Sequence, residues 1–254
     1  MAALHSMHPL SYFDRIFVIN LPSRSDRRRG IERQLRRIGL SLGSAQVELF
    51  AAVRPDRRGD FDSIGAHGCF LSHLGVLQLA RERQYGRILI LEDDVNFAPR
   101  FEEQIEACVV ALRAQPWDVF YGGYRLHQPI ELTRPLSLLP SDQEALLAHF
   151  IALSDRAIAA ATDFLSTMLT RRPNDPEGGP MHVDGAYGWM RRAHPELISR
   201  LAVPQLGYQR RSRTDIHALR WFDRIPVVRT AVAATRAFSN VLTERSADAA
   251  EELG

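Results

Sequence analysis

Apolar and polar positions alternate between two periods along the first half of the chain. "RIFVINL" (Arg15 to Leu21) is a short apolar run and predicts a buried strand. "PSRSDRRRG" follows as a loop entering a helix that Ser25 or Asp26 can cap. Ile31, Leu35 and Ile38 give that helix one apolar face, and Gly39 stands where a left-handed residue ends it. "VELFAAV" (Val47 to Val53) predicts a second strand. A helix of about 17 residues then runs to Gln84, with Cys69, His73, Leu74, Leu77 and Ala80 on one face and Gly86 at its end. "RILIL" is the third strand, and its unbroken apolar run suits a strand covered on both faces. A helix from about Phe101 to Gln115 turns Ile105, Cys108, Val109 and Leu112 inward. "WDVFYGG" is a further strand ending in glycines.

Strand, helix, strand, helix, strand, helix, strand is the order of a mostly parallel open sheet with helices on both faces, an α/β fold. The second half is less regular. "HFIALS" predicts a strand running into a helix capped by Ser154, "VDGAYGWM" opens a helical segment, and "VPQLGYQ" reads as one strand. "HALRWFDRIPVVRTAVAATRAFSNVL" reads as a helical tail broken at Pro226. One continuous domain is expected: an extension over 1–13, the main domain over 14–216 and a helical tail over 217–254.

Composition narrows the classes. The 254 residues, 45% hydrophobic and 24% charged, are enough to bury a real core. A net charge of +2 gives no field that calls for nucleic acid. All 32 basic residues are arginine, so no lysine chemistry is available. Cys69 and Cys108 fall in apolar helical patterns and read as reduced thiols. "MAALHSMHPL" has neither the charged start nor the apolar stretch of a signal peptide. No apolar run approaches the roughly 20 residues of a membrane span. A cytoplasmic location is the expectation. The tail's apolar residues and Arg220, Arg224, Arg229 and Arg236 suit either packing on the domain or a peripheral contact with an anionic membrane.

The chemistry concentrates in "RILILEDDV". A buried strand ends in Glu92, Asp93 and Asp94, at the edge where open α/β sheets bind ligands. Three carboxylates so close repel, so a cation or hydrogen bonds must neutralise them or their pKa values rise. In extended backbone Glu92 and Asp94 point to the same side and can share one ion, with Asp94 the first ligand and Glu92 the second. Oxygen ligands suit Mn²⁺ or Mg²⁺. A signalling receiver domain also ends a strand in such acids, but it requires a lysine that this chain lacks. Asn20, Leu21, Arg24 and Arg27 border the first strand's end. Seven arginines lie between Arg24 and Arg37, most of them expected on a solvated face.

The ordered set of short motifs resembles glycosyltransferase family 25, the lipooligosaccharide and collagen galactosyltransferase group. "INLPSRSDRRRGIERQLRRIGL" is similar to that family's opening, and "GAHGCFLSH" to its G-E-x-G-C-x-x-S-H element through Gly65, Gly68, Cys69, Ser72 and His73. "ILILEDDV", "HFIALSDRAI", "VDGAYG" and "QRRSRTDI" resemble its later elements, the last with Asp215. The match spans about residues 14 to 216. Ala66 and His67 depart from it where the family carries a glutamate and an aliphatic residue, which bears on donor identity rather than on fold.

The resemblance implies a GT-A-like fold and a metal-dependent, inverting transfer of galactose from UDP-galactose. The acceptor would be a glycan or a lipid-linked saccharide such as lipopolysaccharide. It implies nucleotide-sugar binding by Asn20, Leu21, Arg24, Arg27, Ser72, His73 and His149. Asp93 would bond a ribose or sugar hydroxyl, or join the ion. Inversion needs a base opposite the leaving group, for which Asp184 is the candidate, with a plain helix cap as its other reading. A non-catalytic relative that binds saccharide or a partner is the alternative.

Overall fold

The computed structural model describes residues 8–210; the predicted tail and Asp215 lie outside the described residues. The strands are β1 (Arg15–Asn20), β2 (Val47–Ala51), β3 (Arg87–Glu92), β4 (Val95–Phe97), β5 (Val119–Tyr121), β6 (Arg125–Leu126), β7 (Leu136–Leu139), β8 (Ala145–Leu146), β9 (Phe150–Ser154), β10 (Ser199–Ala202) and β11 (Gly207–Gln209). The helices are α1 (Ser25–Arg37), α2 (Ile64–Glu82), α3 (Phe101–Ala114), α4 (Asp155–Met168) and α5 (Val183–Ala193). Seven strands form one sheet in the order β2-β1-β3-β9-β5-β10-β7. β2, β1, β3, β5 and β10 run one way; β9 and β7 run against them. The expected single-domain α/β architecture, with a mostly parallel sheet, is what the described residues form.

Side-chain alternation explains why the strands are apolar throughout. Ile88 and Ile90 of β3 enter one core with α2, α4 and α5, while Leu89 and Leu91 enter a second core with α1 and α3. The same split divides Phe17 and Ile19 from Ile16 and Val18 on β1. A strand covered on both faces has no solvent side to spend on polar residues. Tyr12 and Phe13, ahead of β1, also pack into the second core.

Four local expectations need correction. Neither Ser25 nor Asp26 caps α1: the cap position is Arg24, without a side-chain cap bond, and its guanidinium holds the Asp26 carboxylate at 2.8 and 2.9 Å. Gly86 does not end α2; Gln84 takes the left-handed conformation there, at φ 57°. "VPQLGYQ" is not one strand, because Pro204 falls in the turn between β10 and β11. Backbone is not extended through the acidic motif: Asp93 and Asp94 form the turn between β3 and β4. The inference that alternation puts Glu92 and Asp94 on one side therefore loses its basis, since a turn breaks the period of two.

Candidate functional site

The parallel strands β1, β2 and β3 end together, and a cavity of about 310 Å³ opens at that edge. Ile19, Leu21, Arg24 and Arg27 line it from the β1–α1 connection, Ala52, Val53 and Arg54 from the exit of β2. Gly65, Gly68, Cys69 and Ser72 line it from α2, and Glu92 and Asp93 from the end of β3. A volume of this size suits a small organic ligand. Gly68 makes the α2 wall close: a Cβ there would stand 2.5 Å from the Val53 carbonyl. Ser72 ties the same wall together, donating to the Gly68 carbonyl at 2.6 Å and accepting from the Val53 amide at 2.8 Å.

Of the seven arginines from Arg24 to Arg37, Arg24 and Arg27 turn to the cavity, while Arg28, Arg29, Arg33, Arg36 and Arg37 are exposed. Arg27 donates to Asp93 Oδ1 at 2.9 Å and to Asp94 Oδ2 at 3.3 Å. Asn20 Nδ2 donates to Asp93 Oδ2 at 2.7 Å. Gln209 Nε2 reaches Asp94 Oδ2 at 3.3 Å, and the Arg210 amide bonds the Asp94 carbonyl at 2.7 Å. Thus the end of the described chain folds back over the acidic turn.

These donors only partly offset desolvation. Burial, then the charges of Glu92 and Asp93, push Asp94 up to about 7 against Arg27 and Arg210. Burial also raises Asp93, with Arg27 and Asn20 opposing. For Glu92 burial disfavours the charged form, but the hydrogen bond and charge of His73, together with the charges of His149 and Arg27, leave its carboxyl below the usual range. Asp94 Oδ1 is buried and meets no donor among the described residues. A buried carboxylate oxygen without a partner is costly, and a hard dication is the group that its chemistry fits.

Glu92 faces a different set from Asp94. Its Oε1 meets His73 Nε2 at 3.3 Å and Cys69 Sγ at 3.7 Å. His73 Nδ1 is 3.2 Å from the Tyr187 hydroxyl. His149 is fully buried beside Glu92, whose amide bonds the His149 carbonyl at 3.0 Å. Neither His149 ring nitrogen makes a well-formed hydrogen bond, although the Gly207 carbonyl stands near; burial lowers its pKa. Asp184 is half-buried in the first turn of α5, where His182 takes the cap position. Its Oδ2 accepts from the Leu147 amide at 3.1 Å and its Oδ1 from Gly185 at 2.9 Å. Tyr187, one turn further along α5, reaches His73, so the helix packs against α2 at this edge.

The structure thus brings Leu21, Arg24, Arg27, Ser72, Glu92 and Asp93 to the cavity wall, with Asn20, Asp94 and His73 bonded to residues on it. His149 stands opposite Glu92 at the same edge, just before β9, and Asp184 is held through Leu147. Cys69 and Gln209 carried no site role in the sequence reading. Cys69 stands one helical turn from His73, a spacing that was legible; Gln209 meets Asp94 only through the β4–β11 pairing.

A parallel-edge cavity walled by arginine and acid defines a polar-ligand site in an α/β protein. Residues 13–123 match the family model of glycosyltransferase family 25 (LPS biosynthesis protein). Procollagen galactosyltransferase 2 of Mus musculus is 31% identical over 204 residues, covering 72% of this chain and 31% of that protein. Inactive glycosyltransferase 25 family member 3 of Homo sapiens is 26% identical over 178 residues, covering 63% and 30%. A glycosyltransferase involved in glycosylation of the major capsid of PBCV-1 gives a TM-score of 0.37 at 10% identity, covering 74% of this chain and 91% of that one. The chain spans between a fifth and a third of the length of the curated relatives it matches. The family match over residues 13–123 and these relatives support an assignment to glycosyltransferase family 25. No helix among the described residues is long and apolar enough to cross a membrane.

Proposed function

We propose that this chain is a metal-dependent glycosyltransferase that moves galactose from UDP-galactose to a glycan or a lipid-linked saccharide such as lipopolysaccharide. The observation that carries the reading is the orphaned Asp94 oxygen behind an arginine-walled cavity. Asp94 and Glu92 would hold Mn²⁺ or Mg²⁺. When bound, that ion supplies positive charge against the diphosphate leaving group.

The chain's own residues do the rest. Arg24 and Arg54, on the cavity lining after β1 and β2, offer guanidinium groups to phosphate or to the uracil face. Asn20 and Arg27 fix the Asp93 carboxylate at the cavity rim, where it can accept from a ribose or sugar hydroxyl. Leu21 and Ile64 provide the apolar side. Asp184 receives the acceptor's proton, its carboxylate oriented by the Leu147 and Gly185 amides. The mouse relative's printed name, a procollagen galactosyltransferase, supports the donor sugar.

A non-catalytic saccharide-binding role is the second reading, favoured by relatives whose names call them inactive. Calorimetric titration of UDP with and without Mn²⁺, on the native chain and on Asp94→Ala, separates the two. Metal-dependent UDP binding that the substitution abolishes is expected. Binding indifferent to both metal and substitution would remove the transferase reading.

A further inference from the structure

We propose that Cys69, His73 and Glu92 form a site for a thiophilic divalent ion of the Zn²⁺ class, separate from the Asp94 carboxylate. Their ligand atoms all lie within 4.8 Å of one another. A tetrahedral ion with bonds of about 2.3 Å to sulfur and about 2.0 Å to nitrogen and oxygen requires edges of about 3.5 Å from sulfur to oxygen and about 3.3 Å from nitrogen to oxygen. Those edges here are 3.7 Å, Cys69 Sγ to Glu92 Oε1, and 3.3 Å, His73 Nε2 to Glu92 Oε1. Cys69 and His73 stand four residues apart on α2, so both project from one face of the helix.

The surroundings suit an ion as well. Nε2 meets Glu92 as a donor in the metal-free chain; once that proton leaves, Nε2 can turn a lone pair to the ion while Nδ1 keeps its proton toward the Tyr187 hydroxyl, 3.2 Å away. This is the outer-shell bond that orients a ligating imidazole. Cys69 and Glu92 both line the cavity, so water can complete the fourth position. Binding displaces both the thiol proton of Cys69 and the Nε2 proton of His73, and both go to solvent. A thiolate, a carboxylate and a dication then sum to zero charge, which a buried position tolerates. Sulfur and imidazole together select a transition ion over Mg²⁺.

Glu92 is common to this site and to the proposed Mn²⁺ or Mg²⁺ site, so Cys69 is the residue that separates them. The test is an optical titration of the chelator-stripped full chain with Co²⁺, without nucleotide, followed by Zn²⁺. Expected are one equivalent of bound Co²⁺, a sulfur-to-cobalt charge-transfer band, tetrahedral d–d bands, and displacement of all three by Zn²⁺ but not by Mg²⁺. Cys69→Ser should lose the charge-transfer band and bind about tenfold or more weakly, while Cys108→Ser keeps both. No saturable uptake by the native chain, uptake without the band, or a band that Cys108→Ser removes would each overturn the site. UDP binding takes no part in this readout, so failure of the transferase reading leaves it standing.

Discussion

Asp94 is a carboxylate whose folded environment opposes its own charge. Its folded pKa of about 7 stands above the unfolded value of 3.8, so its contribution to stability is full below pH 3.8 and is lost as pH rises through 7. Three units correspond to about 4 kcal/mol at most, and coupling to Glu92 makes about 2–4 kcal/mol the useful range. Asp94→Asn, which cannot ionise, should therefore stabilise the metal-free chain at pH 8 by that amount and have little effect near pH 4. Urea unfolding across that range measures it. Arg27 is the counterweight on both aspartates, and no composition argument distinguishes it from the exposed Arg28 and Arg29 beside it. Only the helix's rotation about its axis does.

Element junctions carry the next level of organisation. Asp118, just before β5, is buried and accepts from Ser154 Oγ at 3.0 Å, from the Ile198 amide at 2.9 Å and from Arg156 at 3.3 Å. It joins the start of β5 to the end of β9 and the approach to β10. Asp118→Ala leaves buried donors unsatisfied and should cost about 2–4 kcal/mol in chemical denaturation. The α2–β2 junction depends instead on a missing side chain. Gly68→Ala forces a methyl against the Val53 carbonyl, a backbone atom that cannot rotate away. A loss of about 1–3 kcal/mol is expected, with UDP affinity by calorimetry falling because Val53 and Gly68 both wall the cavity. Ser154 was legible as the α4 cap, and its hydroxyl does accept from the Ala157 amide. Its second bond, to Asp118, depends on a contact between distant elements.

Across the whole molecule, the sheet sets β9 antiparallel between β3 and β5, so a segment that runs back down the sheet delivers His149 to the edge where β1, β2 and β3 end. On the other side of the sheet edge, Arg210 crosses α1 at Gly30, where a Cβ would meet its guanidinium at 2.6 Å. The edge is thus assembled from segments far apart in the chain, and a ligand there braces all of them. UDP with Mn²⁺ at about 100 times its dissociation constant should add about 2.7 kcal/mol to folded stability. For a domain of this size that is roughly 5–10 °C in melting temperature, measurable by scanning calorimetry, and Asp94→Ala should show none of it.

What the sequence determined by itself was local and periodic: the strands β1, β2, β3, β5 and β9, helices α1 to α5, the inward faces, and the placing of three carboxylates at a strand end. Those follow from residue size and spacing, which act over a few positions of chain. Tertiary structure decided which carboxylate meets which partner. A turn at Asp93 and Asp94 directs Glu92 to His73 and Cys69 but Asp94 to Arg27 and Gln209. That division depends on how α1, α2 and β11 pack around one sheet edge, and the burial of charge there is a property of the assembled edge rather than of any segment.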